Sequence, residues 1–218
     1  VEILPKYNLA IFDFDGTIAD TFSITMQIAK KLTQDFNYEP ITSQQWQDLR
    51  EIGILQVIKK YKFPLWRIPE VGRELHKEMH RNIHKISLFD GMAAVLKELF
   101  EHSIQLGLVS SNGGDNIQKV LGDEIASYFS FVECGVSMFS KQAKFEKVLK
   151  ASQVNANQAI CIGDEIRDIQ AARKAKIPFG AVSWGYTNIE KLLAHFPQEV
   201  FHNVTDISKK LLIPSAIK

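Results

Sequence analysis

The chain has 218 residues, room for one sizeable core or for a core plus a small insert. Its 26 Lys and Arg against 25 Asp and Glu leave a net charge of +1, which gives no support for broad nucleic-acid binding or a polybasic membrane contact. Two cysteines, Cys134 and Cys161, are too few for a disulfide scaffold, and no run approaches the ~18 apolar residues of a membrane span; the expectation is a soluble, cytoplasmic protein with buried thiols.

The first apolar run, Leu9-Ala10-Ile11-Phe12, meets two carboxylates, as a buried central strand does when it ends at a reactive edge. Alternation along an extended chain sends Asp13 and Asp15 to one side and Phe12 and Phe14 to the other. Gly16 follows, where a positive φ lets backbone N–H groups turn toward an anion. The arrangement suggests phosphate chemistry, against the plainer reading of a strand ending in an Asp-Gly turn.

Downstream, Phe22, Met26, Ile28, Ala29 and Leu32 fall at helical spacing between Thr21 and about Phe36. Thr42-Ser43 offers a cap for a helix carrying Trp46 and Leu49, Arg50-Glu51-Ile52-Gly53 reads as a loop, and a short helix runs from Ile54 to Lys60. Pro64 and Pro69 punctuate the next connection, and a helix is expected from about Glu70 to Ile86. No convincing strand lies between Thr21 and Ser87, so this block reads as an all-helical insert.

From Asp90-Gly91 onward, helices and apolar runs alternate. A helix with Met92, Val95, Leu96, Leu99 and Phe100 inward precedes a strand over Ile104–Val109. A helix from about Asp115 to Leu121, a strand over Phe131–Cys134, a helix from about Gln142 to Ala151 and a strand over Ala159–Ile162 come next. Another helix leads to Phe179–Ser183, with a last short run at Glu199–Phe201. This alternation implies a parallel, doubly wound sheet, an α/β fold.

Three polar motifs sit at the ends of these runs. Val109-Ser110-Ser111-Asn112 closes a strand with hydroxyls and an amide that can donate to a phosphate oxygen, or simply form a helix entry. Ser140-Lys141-Gln142 puts a cation at a helix start, where the dipole does not call for one. Gly163-Asp164-Glu165-Ile166-Arg167-Asp168 ends a buried strand with two acids four residues apart on one face. His76, His80 and His84 share one face of a predicted helix, as a metal site or, more often, an exposed polar stripe. Trp184-Gly185-Tyr186 reads as a loop packed beside the site.

The order D-x-D-G-T, Ser-Asn, Lys, G-D-x-x-x-D resembles the haloacid dehalogenase superfamily over nearly the whole chain. Ser111, directly before Asn112, matches the second motif better than Ser110, and Lys141 matches the third better than Lys144. The resemblance implies a Rossmann-like core (residues 1–20 and 87–218) with a C1-type helical cap (residues 21–86). Four converging acids call for a divalent cation, and an all-oxygen donor set favours Mg²⁺. By resemblance Asp13 and Asp164 supply side-chain oxygens and Asp15 its carbonyl, while Asp168 orients the others or ligates weakly. Asp13 is then the nucleophile that forms an aspartyl-phosphate, Asp15 the acid and base, and Lys141 the neutralising cation. Gly16, Ser111 and Asn112 would contact phosphate, and Arg50 a distal anionic group of the substrate. The closest likeness is to the phosphoglycolate phosphatase group, acting on a small phosphorylated metabolite as a monomer or homodimer. A phosphomutase of the β-phosphoglucomutase kind and a non-catalytic phosphate-sensing or partner-binding protein on the same fold are the alternatives.

Overall fold

The structure, a computed structural model, describes residues 3–135 and 141–214; Ser140 of the third motif lies outside the described residues. In chain order, β1 (Ile3–Pro5), β2 (Leu9–Phe12) and β3 (Ala19–Asp20) precede four helices: α1 (Phe22–Asp35), α2 (Ser43–Ile52), α3 (Ile54–Lys60) and α4 (Ile68–Arg81). Next come β4 (Ser87–Leu88), α5 (Met92–Glu101), β5 (Gln105–Val109), α6 (Gly114–Ser127), β6 (Phe129–Glu133) and α7 (Lys141–Ser152). The chain continues through β7 (Ala159–Gly163), α8 (Ile166–Lys174), β8 (Phe179–Val182), α9 (Ile189–Leu193), β9 (Glu199–Phe201), α10 (Asp206–Leu211) and β10 (Leu212–Pro214).

Six strands form one parallel sheet in the order β6-β5-β2-β7-β8-β9. The chain lays β5 and β6 on one flank of β2, then crosses to lay β7, β8 and β9 on the other. That reversal places a crevice outside the carboxyl ends of β2 and β7, the usual ligand position in open α/β sheets. Every residue of β2 is fully buried because helices cover both faces. Leu9 and Ile11 pack with Phe145, Val148, Ile169 and Phe179 on one side. Ala10, Phe12 and Phe14 pack with Met92, Leu96 and Leu99 on the other. Period-2 alternation thus holds through Phe14 and leaves Asp13 and Asp15 off that second face.

Helices α1 to α4 lie between β3 and β4, which pair antiparallel through Ala19 with Leu88 and Asp20 with Ser87. The chain leaves the sheet and returns side by side, and among the described residues the intervening stretch contains no strand. Ile24, Ile28 and Leu32 of α1 and Met79 of α4 join the same core as Phe12. Thr42 starts α2 with a capping box: its hydroxyl accepts from the Gln45 N–H (3.2 Å) while its own N–H donates to Gln45 Oε1 (2.8 Å).

Several elements differ from the sequence reading. Arg50, Glu51 and Ile52 are helical; the break is Gly53 alone, at φ 77°. The helix expected to reach Ile86 ends at Arg81, with a 3₁₀ turn at Ile83–Lys85. α6 runs past Leu121 to Ser127 because the chain resumes helical geometry after a kink at Gly122 (φ 69°). Phe100 points outward, 46% exposed, and stacks on Tyr128 at 4.9 Å. Cys161 is buried, whereas Cys134 lies past the end of β6 and is only half-buried. The antiparallel ribbons β1–β10 and β3–β4, and the short helices α9 and α10, carry too few residues for a periodic signal. No helix of the described residues is long and apolar enough to cross a membrane.

Adjacent residues of α5 therefore differ in their worth. Leu99 is fully buried, and Leu99→Ala should cost about 2–5 kcal/mol of unfolding free energy in a urea titration. Phe100→Ala, which loses only a surface aromatic stack, should cost about 0.5–1.5 kcal/mol.

Candidate active site

Two strand ends build the site. At the end of β2 the ladder continues one residue further, the Asp13 N–H donating to Ile162 O at 2.9 Å, which fixes the Asp13 backbone at the sheet edge. The Phe14 carbonyl then accepts from the N–H groups of Ile18 (2.9 Å) and Ala19 (3.0 Å), closing a tight turn. Gly16 occupies this turn at φ 76°, and a Cβ there would lie 2.4 Å from Asp164 Oδ2 and 2.7 Å from Tyr186 Cδ1. Glycine is required both by conformation and by space. Its N–H donates to Ala19 O (2.9 Å), so what Gly16 supplies in this structure is close approach of the two loops.

At the end of β7, Asp164 is completely buried. The Thr17 hydroxyl donates to its Oδ1 (3.0 Å) and the Tyr186 N–H to its Oδ2 (2.7 Å). Gly185 packs so closely that an added Cβ would sit 2.1 Å from Asp164 Cβ, so the Trp184-Gly185-Tyr186 loop forms a wall of the site. Asp168, in the first turn of α8, accepts the Glu165 N–H on Oδ2 (3.3 Å).

Lys141 opens α7, and its ammonium bridges Asp13 Oδ1 (2.9 Å) and Asp168 Oδ1 (2.6 Å) with all three side chains buried. Its pKa is raised: burial works against the charge, but Asp13 and Asp168 outweigh it. Lys144 is placed differently, donating to the carbonyls of Ser110 (2.8 Å) and Gly135 (2.9 Å), and so braces the loop after β5.

The carboxylates respond to crowding. Burial pushes Asp13 up to about 7, against the pull of Lys141 and with Asp168 adding to the rise. Burial, with Glu165 and Asp13 nearby, holds Asp164 well above the usual carboxylate range. Burial also raises Asp15, opposed by hydrogen bonds from Thr21 and Asn112. One oxygen from each of Asp13, Asp164 and Asp168 lies within 4.8 Å of the others, and Asp13 Oδ2 is buried without a hydrogen-bond partner. A hard divalent cation fits this donor set: it would take the unpartnered lone pair and offset the buried negative charge.

On the loop after β5, the hydroxyl that faces the acids belongs to Ser110, which lies 3.4 Å from Asp15 Oδ2 and accepts the Asn112 N–H at 2.9 Å. Ser111, favoured by the motif spacing, presents its carbonyl to His76 Nε2 (2.9 Å). Asn112 donates to Asp15 Oδ1 at 3.1 Å. His80 and His84 are exposed, as a polar stripe would be, while His76 is half-buried with Nε2 on the Ser111 carbonyl; His80 Nδ1 also bonds Asn116 Oδ1 at 2.9 Å. Arg50 lies at the α2 corner: its Nε donates to Asn188 Oδ1 (3.3 Å), its carbonyl accepts the Asn188 N–H (2.9 Å), and its guanidinium lies over the Phe22 ring. Gly53 at the same corner approaches Ile166 of α8.

The sequence reading passed over a second cation. Arg167 pairs with Glu165, its Nε donating at 3.0 Å, and both side chains are largely buried beside Asp13 and Asp168. The signal was present in the charges between Asp164 and Asp168, which a solvated helix start would equally explain.

Residues 10–182 match the family described as haloacid dehalogenase-like hydrolase. The chain belongs to this family. It is therefore an enzyme, a hydrolase. Phosphoglycolate phosphatase of Synechococcus elongatus is 28% identical over 198 residues, covering 90% of this chain and 93% of the relative. Pyrophosphatase PpaX of Listeria innocua is 23% identical, covering 93% and 95%. Among solved structures, a predicted phosphatase from Clostridium acetobutylicum superposes with a TM-score of 0.80 at 19% identity, covering 94% of this chain and 97% of that one.

If the acid cluster of this hydrolase holds Mg²⁺, the ion stabilises the folded state by mass action, about 2.7 kcal/mol at a hundredfold excess over Kd. Thermal melts should rise on adding MgCl₂, and Asp164→Asn should abolish most of that rise.

Proposed function

We propose that this hydrolase is a Mg²⁺-dependent phosphatase of a small phosphomonoester, acting through a phosphorylated Asp13 under a helical cap formed by residues 21–86. The observation that carries this reading is the state of Asp13: Lys141 ties down one oxygen, and the other is buried and unpartnered. A carboxylate so held has one oxygen oriented and free of competing donors.

Asp13 and Asp164 side chains, the Asp15 carbonyl and Asp168 would hold Mg²⁺, which when bound neutralises the acids and the phosphate they face. Asp13 attacks phosphorus and the bond to the alkoxide breaks. Lys141 balances charge on the phosphoryl oxygens, and Ser110 takes the hydroxyl role that motif spacing assigned to Ser111. Asp15 delivers its proton to the departing oxygen; burial, which favours its neutral form, suits it to begin as an acid. Asp15 then takes a proton from the water that attacks the aspartyl-phosphate, and both carboxylates return to their starting states. Asp13 and Asp15 thus divide one reaction because only one of them is pinned by a cation.

The cap corner at Arg50 and Gly53 sits over Ile166, so water exclusion and choice of substrate fall to this corner. Among the described residues the terminal nitrogens of Arg50 make no hydrogen bond, and they would be the donors for a distal carboxylate. The likeness to phosphoglycolate phosphatases makes 2-phosphoglycolate the first ester to test, with pyrophosphate beside it because of the PpaX relatives.

Purified enzyme with Mg²⁺ should release phosphate from 2-phosphoglycolate. Asp13→Asn should reduce this to background while the fold persists by circular dichroism. Asp15→Asn should lose about 10²–10⁴-fold in kcat with Mg²⁺ affinity kept in calorimetry, because its metal contact is main-chain. For Arg50→Ala, KM for 2-phosphoglycolate should rise about 10-fold or more while KM for p-nitrophenyl phosphate, which lacks the carboxylate, stays within about threefold.

A further inference from the structure

We propose that Asn116 and His80 are positioning residues for Asp15, and that through them the acid's orientation depends on how α4 is seated against the sheet; this rests on the phosphatase reading. The basis is a chain of hydrogen bonds that runs in one direction. Lys119 Nζ lies 3.1 Å from His80 Nε2, and an ammonium can only donate, so Nε2 accepts and the ring proton sits on Nδ1. Nδ1–H donates to Asn116 Oδ1 at 2.9 Å. The Asn116 amide nitrogen donates to Asn112 Oδ1 (3.2 Å) and to the His76 carbonyl (3.2 Å). The Asn112 amide nitrogen donates to Asp15 Oδ1 at 3.1 Å.

Neither amide can be turned round. A flipped Asn112 would set oxygen against Asp15 Oδ1 and its NH₂ against the Gly113 N–H, which now donates to Asn112 Oδ1 at 2.8 Å. A flipped Asn116 would set oxygen against the His76 carbonyl and Asn112 Oδ1. Asn112 and Asn116 are buried, so water does not replace a lost link. Each donor polarises the next, and the last pins one oxygen of Asp15, leaving the other to carry the proton.

The α4 residues in this network lie on one helical face: His76 bonds the Ser111 carbonyl, Met79 Sδ lies 3.7 Å from the Asn112 amide, and His80 starts the chain. A purely structural tie between α4 and α6 would use the same residues but would have no need to end on the reactive acid.

The test compares two esters. Protonation of the leaving group matters for an alkoxide and hardly at all for 2,4-dinitrophenolate, so in kcat/KM, which ends at formation of the aspartyl-phosphate and leaves out its hydrolysis, a misplaced acid penalises only the first. Asn116→Ala should lower kcat/KM on 2-phosphoglycolate about 10-fold or more while kcat/KM on 2,4-dinitrophenyl phosphate stays within about threefold. His80→Phe should show the same split, and His80→Asn, whose amide nitrogen stands where Nδ1–H was, should restore it. Because His80 is exposed, its variants remain informative should Asn116→Ala fail to fold. Equal losses on both esters, or no loss, would overturn the inference while leaving the phosphatase reading intact. Wild-type enzyme inert toward both esters would overturn that reading and this inference with it.

Discussion

The structure depends on one buried ammonium. Lys141 stands between Asp13 and Asp168, and without it two carboxylates would share a water-free pocket with Asp164 nearby. Charges taken out of water persist only when paired and hydrogen-bonded, and here the pairing is incomplete. Lys141 satisfies one oxygen of Asp13, backbone and hydroxyl donors satisfy Asp164, and Asp13 Oδ2 is left over. A buried oxygen without a partner is costly to a fold, and this one is what the proposed metal and phosphate would use.

The position of Lys141 follows from topology. The crossing from β6 to β7 must carry a helix over one face of the sheet, and α7 starts where its first residue reaches the gap between the ends of β2 and β7. Helix polarity disfavours a cation there, so its location is owed to the acids. The glycines answer the same crowding. Gly16 and Gly185 let two loops close on Asp164, with no room for a Cβ at either.

Much of this was legible in the order of residues because it rests on strong local signals. An unbroken apolar run ending in Asp13-Phe14-Asp15-Gly16 states a buried strand, its direction and its reactive end, and Gly163-Asp164 repeats the statement on the neighbouring strand. The choice between Ser110 and Ser111 was not legible: it turns on which hydroxyl the strand's last pleat sends inward, and neighbouring serines look alike to any pattern. Arg167 was hidden for a related reason, since a charged residue in a helix's first turn is equally at home in solvent. The partners of His76 and His80 were hidden because periodicity reports a shared face but not what lies against it; the loop before α6 and Asn116 of α6, nearly forty residues on, supply them.

Asp13 and Asp15 are two residues apart yet live under different constraints, and that asymmetry makes the chemistry directional. Asp13 is held by a charge, through a lysine on the far side of the sheet edge; Asp15 is held by neutral amides and hydroxyls, through Asn112, Thr21 and Ser110. A bonded cation supports the anion that a nucleophile must be, whereas for Asp15 burial, opposed by the hydrogen bonds of Thr21 and Asn112, raises the carboxyl toward the neutral form that an acid must have at the outset. The first set of contacts lies wholly within the sheet and its α7 and α8 neighbours. The second reaches across to α4, whose chain leaves and re-enters the sheet through β3 and β4, so Asp13 is fixed by the core while Asp15, on the proposed roles the acid, is shared with the helical segment.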